Sequence, residues 1–197
     1  MVKHLDPVRE KILNAARGRM IKFGFRKVTM DEIASDLKMS KNTIYKYFSS
    51  KERIADALFS LLKEKIEEKQ EEIKKRCDNP LEVISQTVMF LKKELSVWFS
   101  PFMSDVEMEL PGLWRDFVGF RTKQILDLES LIKSAIKKKL FRPVNPAIAV
   151  RAYLGAIDNV IEPEVLEREG LSFSDAIESV MDIWSKGVIK KSMVSEG

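Results

Sequence analysis

Amide, hydroxyl and ammonium groups are concentrated between residues 40 and 51, where the chain reads SKNTIYKYFSSK. Asn42 can pair bidentately with adenine and Thr43 can touch a thymine methyl group, while lysine ammoniums and tyrosine hydroxyls can contact phosphates beside the major groove. Ile44 and Phe48 lie four residues apart, so on a helix both can face inward and leave the polar side chains exposed. The pattern predicts a helix that reads double-stranded DNA.

Two short helices must position these side chains. Thr29 lies three residues before Glu32, and this capping box predicts the start of a first helix. Ser40, with Asn42 or Thr43 able to share the free amides, predicts the start of a second helix about one turn later. The residues predicted to contact DNA lie on the second helix or at the start of a neighbouring one: Thr29, Ser40, Lys41, Asn42, Thr43, Tyr45, Lys46, Tyr47 and Lys51.

The segment from residue 29 to residue 53, TMDEIASDLKMSKNTIYKYFSSKER, resembles the TetR family of one-component bacterial transcriptional regulators, whose recognition helix typically reads like SKNTIYKYFSSKE. The resemblance extends back through the turn at Gly24 to Asp6 and Pro7, and covers roughly the first third of the chain. One departure is Lys38, where the family commonly places glycine, because a residue in the left-handed region is easiest without a Cβ. A lysine there should cost about 1 kcal/mol.

The charge of the chain is divided unevenly. Residues 1–53 contain 13 Lys and Arg against 6 Asp and Glu, whereas the rest of the chain contains 21 against 24, so a net charge of +4 combines a segment of +7 with one of −3. Such segregation is expected when one module meets a polyanion and the other does not. The alternative is a basic surface that is merely solvated.

Several function classes lack their residues. Cys77 is the only cysteine and His4 the only histidine, and neither a P-loop pattern nor GxGxxG occurs. Glu107 and Glu109 are two residues apart and would point to different faces of a helix. We therefore expect no enzyme, no metal and no cofactor. The start of the chain lacks an apolar leader, and no stretch approaches the ~18 apolar residues of a membrane span, which predicts a cytoplasmic protein with no membrane partner.

Hydrophobic spacing predicts an all-α fold with no β-strand of useful length. We expect three helices in a helix-turn-helix DNA-binding domain at residues 6–52, and about six in an effector-binding and dimerisation domain at residues 53–197. Ser49 and Glu52 form a second capping box, so the fourth helix should begin near Lys51. A long helix is expected over about residues 112–139, and a loop around Gly170.

The last two predicted helices, at about residues 146–161 and 174–190, are apolar enough to pair with a second copy of the chain. The resemblance implies a four-helix dimer interface there; the alternative is that these helices complete the core of the monomer. Aromatic and sulfur side chains in the middle of the chain suggest a pocket for a hydrophobic or aromatic effector, although an ordinary helical core would look the same. The pocket candidates are Phe90, Trp98, Phe102, Met103, Trp114, Phe117, Phe120 and Arg121.

Together these features predict a homodimeric repressor that binds a pseudo-palindromic DNA operator and is released by a small hydrophobic molecule. Control of an efflux gene is suggested only by analogy within the family. The competing hypothesis is a helical adaptor that binds another protein through its last two helices and has no specific DNA target. The recognition helix would then have no explanation.

Overall fold

The computed structural model describes residues 6–95, 98 and 101–188. Within these residues it contains ten α-helices and no β-strand, so the predicted all-α class is confirmed. In chain order the helices are α1 (Pro7–Phe23), α2 (Met30–Asp36), α3 (Lys41–Tyr47), α4 (Lys51–Arg76), α5 (Pro80–Leu95), α6 (Pro101–Glu109), α7 (Pro111–Lys137), α8 (Pro146–Val160), α9 (Pro163–Glu169) and α10 (Phe173–Val188).

Side chains placed just before the helices determine where several of them begin. The Asp6 carboxylate accepts a hydrogen bond from the Val8 amide at 2.8 Å, and Pro7 follows at the first helical position of α1. Asn145 accepts in the same way from the first amides of α8. At the start of α4 the Arg53 amide donates to Ser50 at 3.4 Å. The cap of α4 is therefore Ser50, one residue after the predicted Ser49.

Among the described residues seven helices follow α3, where about six were expected, because a helix lies just before Gly170. This helix, α9, begins with Pro163 and ends at Glu169, and Gly170 caps it with a φ of 63° in the left-handed region. It has seven residues, too few to show a helical period in the sequence. The long helix α7 ends at Lys137, before Lys139 turns into the left-handed region. For the last helix, the predicted end at residues 189–190 lies outside the described residues.

The chain forms two compact units. Unit 1 comprises Met1–Glu68 and Val97–Phe120. Within it α1 packs against α2 and α6, and α2 packs against α3. Its core side chains are fully buried and come from α1, α2, α3, α4 and α6: Ile12, Ala16, Met20, Ile33, Ile44, Ile54, Phe59, Phe102 and Val106.

Unit 2 comprises Lys69–Ser96 and Arg121–Gly197. Within it α10 packs against α8 and α5. The indole N–H of Trp184 donates to the Ala149 carbonyl at 2.8 Å, which ties α10 to α8. The main cluster of buried residues is Ile84, Ile132, Ala135, Phe141, Ala149, Val150 and Val188. These two units are defined by packing alone. The predicted boundary near residue 52, between a DNA-binding domain and an effector-binding domain, stays a prediction. In the described part of the chain no helix has the length and hydropathy of a membrane-spanning segment.

Candidate nucleic-acid interface

The helix-turn-helix consists of α2, α3 and the four residues between them. The predicted capping box is present: the Glu32 amide donates to the Thr29 hydroxyl at 3.3 Å, and the Thr29 amide donates to the Glu32 carboxylate at 2.8 Å. After α2 the chain turns at Lys38, whose φ of 52° confirms the predicted left-handed conformation. The Lys38 amide donates to the Ser35 carbonyl and the Met39 amide to the Ala34 carbonyl, the paired bonds of a Schellman motif.

The recognition helix α3 has two distinct faces. Ile44 is fully buried and Phe48, just after the helix, is 4% exposed, with the Arg9 guanidinium 5.2 Å from the Phe48 ring centre. These apolar contacts determine which side of α3 faces the solvent. The predicted contact residues lie on that side: Lys41, Asn42, Tyr45 and Lys46 are exposed, and Thr43 and Tyr47 are half-buried.

Two of the candidate hydroxyls, those of Ser40 and Thr29, already serve as helix caps. Ser40 Oγ accepts from the Thr43 amide at 3.0 Å and is hydrogen-bonded to the Thr43 hydroxyl at 2.8 Å. The Thr29 hydroxyl donates to the Glu32 carboxylate at 2.9 Å. The Thr29 O–H donor is therefore engaged, whereas Ser40 and Thr43 share one hydrogen bond in which either hydroxyl can be the donor. Their contacts with DNA stay predictions.

Lys51 has a structural role that the sequence did not reveal. Its ammonium donates to three backbone carbonyls of the turn between α1 and α2 and lies 4.4 Å from the Phe25 ring centre. The carbonyls are those of Phe25, Arg26 and Val28, at 3.1, 3.4 and 3.2 Å. An ammonium has three N–H donors, so all three are used. The phosphate contact predicted for Lys51 stays a prediction, and it would require one of these bonds to break.

The carboxylates of α2 are all paired. Arg19 on α1 holds Asp36 with two hydrogen bonds and lies 3.2 Å from Glu32. The hydrogen bond from Arg19 lowers the pKa of Asp36, and hydrogen bonds from the Thr29 amide and hydroxyl lower the pKa of Glu32. Asp31, in the first turn, lies 2.5 Å from the ammonium of Lys41. These pairs join α1, α2 and α3, and the sequence carries no local signal for them because the partners lie 10 or more residues apart.

Six of the predicted pocket residues belong to unit 1, and four of them form an aromatic cluster around Phe59 or beside it. The Phe59 ring centre lies 5.9 Å from that of Trp98, 5.8 Å from Phe102 and 5.4 Å from Phe117. Trp114 lies 5.8 Å from Phe117. Of the other two, Met103 is buried and Phe120 is half-buried. Phe59 is not among the predicted pocket residues, although its ring lies at the centre of this cluster.

The remaining two pocket candidates, Phe90 and Arg121, belong to unit 2. Phe90 is half-buried on α5, and Arg121 is exposed. One nitrogen of the Arg121 guanidinium donates to both carboxylate oxygens of Asp158 on α8, at 2.5 and 2.8 Å. Arg121 therefore has a partner on its own chain, which any ligand carboxylate would have to replace.

Helix α6 contacts both the aromatic cluster and the turn that follows α1. Phe102, Met103 and Val106 are buried on one side of α6. From the same helix, the Asp105 carboxylate accepts from the Arg26 amide at 2.9 Å, and Glu109 lies 3.1 Å from the Arg26 guanidinium. Within unit 1, α6 thus connects buried aromatic rings to the chain segment that leads into the helix-turn-helix.

Comparison with known proteins identifies the helix-turn-helix segment. Residues 12–58 match the family described as bacterial regulatory proteins, tetR family. The HTH-type transcriptional regulator YvaF of Bacillus subtilis (strain 168) is 23% identical over 180 residues, which cover 91% of this chain and 95% of that protein.

Two solved structures show the same fold along most of the chain. A transcriptional regulator from Saccharomonospora viridis in complex with choline is 20% identical with a TM-score of 0.78, covering 93% of this chain and 98% of that one. The SmeT–triclosan complex is 17% identical with a TM-score of 0.74, covering 94% of this chain and 93% of that one. The matched segment contains α2, α3 and the turn between them, so the part of the chain that carries the candidate DNA contacts is similar to the helix-turn-helix segment of bacterial regulatory proteins of the tetR family.

Proposed function

We propose that the protein is a homodimeric repressor that binds a pseudo-palindromic operator through α3 and is released by a hydrophobic or aromatic small molecule. The observation that carries the proposal is the division of α3 into two faces, with Ile44 buried and Asn42, Tyr45 and Lys46 exposed on the other side. In the proposed complex Asn42 reads a base edge, and Tyr45 and Lys46 contact phosphates.

The proposed dimer interface is formed by α8 and α10. Ile148 on α8 is 63% exposed and Ile183 on α10 is 73% exposed, which is unusual for isoleucine. Ile148, Ala152 and Gly155 follow one another at spacings of four and three, so they share one face of α8. A Cβ added at Gly155 or Gly187 would meet no described atom within 4 Å, so packing inside the chain does not require glycine there. Close approach of a second copy would explain both the exposed isoleucines and the small residues beside them.

The aromatic cluster of unit 1 supports a hydrophobic effector. Its rings around Phe59 contact one another edge-on or tilted, and Met103, which follows Phe102 on α6 and is also buried, has a side chain of adaptable shape. Two of the similar structures named above are complexes with choline and with triclosan, which supports a small organic ligand for this chain as well. Control of an efflux gene is our preferred biological role, and it rests on analogy within the family.

Release from DNA follows from a shift between two states. In a dimer the two recognition helices must lie about 34 Å apart to enter successive major grooves. A ligand that separates the rings around Phe59 would displace α4 and α6, and α6 holds Arg26 ahead of α2 through Asp105 and Glu109. A ligand that prefers the displaced state by ~100-fold supplies about 2.7 kcal/mol of coupling.

The experiment that tests DNA binding is a mobility shift of the full chain on duplexes from upstream of its own gene, over a salt series. The test variant combines Asn42→Ala with Tyr45→Ala, because both side chains are exposed and the fold should survive. The matched control is Met89→Ala, which truncates a side chain of similar length that is 67% exposed on α5. We expect sequence-selective, salt-sensitive binding that the double variant loses and the control keeps.

Two other outcomes are informative. If the upstream DNA is not bound but a genome-wide selection recovers other sites, the regulator stands and autoregulation is rejected. If that selection recovers no specific site, the repressor is rejected in favour of a helical adaptor, whose partner binding would survive substitution of α3.

A further inference from the structure

The first residue of the recognition helix is held by a carboxylate of the preceding helix. Lys41 Nζ donates to Asp31 Oδ2 at 2.5 Å, and the two side chains are 63% and 57% exposed. The hydrogen bond to Asp31 raises the pKa of Lys41 above its ordinary value, so the side chain carries its positive charge throughout the physiological range. An ion pair this exposed is weak and exchanges readily for another partner.

We propose that Asp31 is a positioning residue that competes with DNA phosphate for Lys41 and thereby lowers the affinity of the protein for DNA. The inference rests on the proposed contact between α3 and the DNA backbone. In the free protein the Lys41 ammonium is hydrogen-bonded to the Asp31 carboxylate. Contact between Lys41 and a phosphate therefore requires this bond to break. The carboxylate also stays beside the bound DNA as an uncompensated negative charge. Both effects weaken binding to any sequence, because phosphate contacts carry no sequence information.

Weaker binding to DNA of arbitrary sequence helps a regulator to discriminate its operator. Non-specific binding is almost entirely electrostatic, and each neutralised phosphate adds about 0.9 to the slope of log affinity against log salt. With a net charge of +7 over residues 1–53, the DNA-binding segment has a strong attraction for any duplex. The ion pair between Asp31 and Lys41 lowers the affinity for DNA of any sequence. The base contact proposed for Asn42 is not affected.

The test measures binding of the full chain to a 30-base-pair duplex of random sequence by fluorescence anisotropy between roughly 0.05 and 0.2 M salt. The variants are Asp31→Asn, Lys41→Met and the double variant, which together form a double-mutant cycle. The matched control is Asp56→Asn, which removes the same charge from an exposed carboxylate on α4 that lies 4.0 Å from Arg53. Circular dichroism checks that each variant is folded.

For Asp31→Asn we expect affinity to rise roughly five- to tenfold at 0.1 M salt and the salt slope to steepen by about 1 for each protomer that contacts the duplex. Both effects should be nearly absent when Lys41 is Met, and Asp56→Asn should change affinity less than twofold. The inference is overturned if Asp31→Asn leaves affinity and slope unchanged, lowers affinity, or acts equally strongly in the Lys41→Met background. If the unmodified protein binds no duplex even at low salt, the proposed DNA binding itself has failed.

Discussion

The helix-turn-helix of unit 1 and the helix pair α8 and α10 of unit 2 are stabilised in different ways. Helices α2 and α3 have seven residues each, a length at which an isolated helix is unstable in water. They are maintained by the caps at Thr29 and Ser40, by ion pairs such as that of Arg19, and by a few buried side chains. Helices α8 and α10 have 15 and 16 residues and depend on apolar contact along their length.

The surfaces that the two regions leave exposed differ in the same way. On α3 the exposed residues are polar and basic, including Lys41 and Lys46, whereas α8 and α10 expose Ile148 and Ile183. A polar helix face suits a polyanion, and an apolar helix face suits a second protein chain. The exposed surface of each region therefore fits the partner proposed for it, double-stranded DNA for α3 and a second copy of the chain for α8 and α10.

The largest effect is expected from the buried centre of unit 1. Phe59→Ala removes a ring that touches three other aromatic rings and should lower the free energy of unfolding by about 3–5 kcal/mol. Denaturant unfolding measures the loss, and hydrogen exchange should show it in unit 1. Ile132→Ala, fully buried in unit 2, is the matched control and should open unit 2 instead. A cost below about 1 kcal/mol would contradict a tightly packed aromatic cluster.

The next effect concerns assembly. Ile183→Glu places a charge on each copy at the proposed dimer interface and should raise the dimer dissociation constant by at least ~100-fold. Sedimentation velocity measures the change. Leu126→Glu makes a similar substitution at a leucine that is 59% exposed on α7, and it should leave the dimer intact. Equal effects of the two variants, or none from either, would argue against an interface at α10.

The two units should also respond to opposite extremes of pH. Burial raises the pKa of Tyr153 on α8 to about 12. Since the unfolded pKa is about 10, the stabilisation from neutral Tyr153 is complete below pH 10 and is lost as pH rises towards 12, on the order of 2–3 kcal/mol. Hydrogen exchange of unit 2 in alkaline buffers measures this loss. Tyr153→Phe should remove most of the increase in exchange at alkaline pH. If the dependence of exchange on pH is unchanged, Tyr153 is not the group responsible.

At the acid end the sensitive region is α2. The pKa values of Glu32 and Asp36 are lowered in the folded protein by their hydrogen bonds. Their contribution is therefore complete above the ordinary carboxyl pKa of about 4 and is lost as pH falls through the lowered values. As pH falls over that range, the amides of α2 should lose protection from hydrogen exchange before those of α10. Simultaneous loss would mean that these carboxylates do not stabilise α2 specifically.

Smaller effects are expected from the helix caps. Thr29→Ala and Ser172→Ala each remove the hydroxyl of a capping box, at α2 and α10, and each should cost about 1 kcal/mol. The two variants should differ in which amides lose protection from hydrogen exchange. The short α2 should lose amide protection along its whole length, whereas α10 should fray only in its first turn. Equal fraying of the two helices would show that length and packing do not separate them.

The smallest effect is expected at the two left-handed lysines. Lys38 in unit 1 and Lys139 in unit 2 have φ values of 52° and 60°. Replacing either with glycine relieves strain but increases the freedom of the unfolded chain, so we expect a gain of about 0.5 kcal/mol each in thermal unfolding. Lys137→Gly, within the last turn of α7, should instead cost about 1 kcal/mol. A loss at Lys38 would mean that its side chain makes contacts that matter more than its backbone strain.

Much of the fold follows from residues close together in the chain. The caps at Asp6, Thr29, Ser40 and Asn145, and the left-handed turn at Lys38, each depend on atoms only a few residues apart. The inward face of α3 follows from the spacing of two apolar residues. The short helix α9 was not predicted, because its seven residues make only about two turns, too few for a repeating hydrophobic pattern to be recognised.

By itself the sequence determined the helical class, the helix-turn-helix and the side chains that α3 exposes, because hydrogen-bonded caps and helical periodicity act over short distances. Only the tertiary structure decided which partners those side chains meet. It brought Lys51 onto carbonyls 23 to 26 residues away, Lys41 onto Asp31, and Phe59 among rings from α6 and α7. Such contacts depend on how helices pack against one another, and packing joins residues whose separation along the chain leaves no periodic signal.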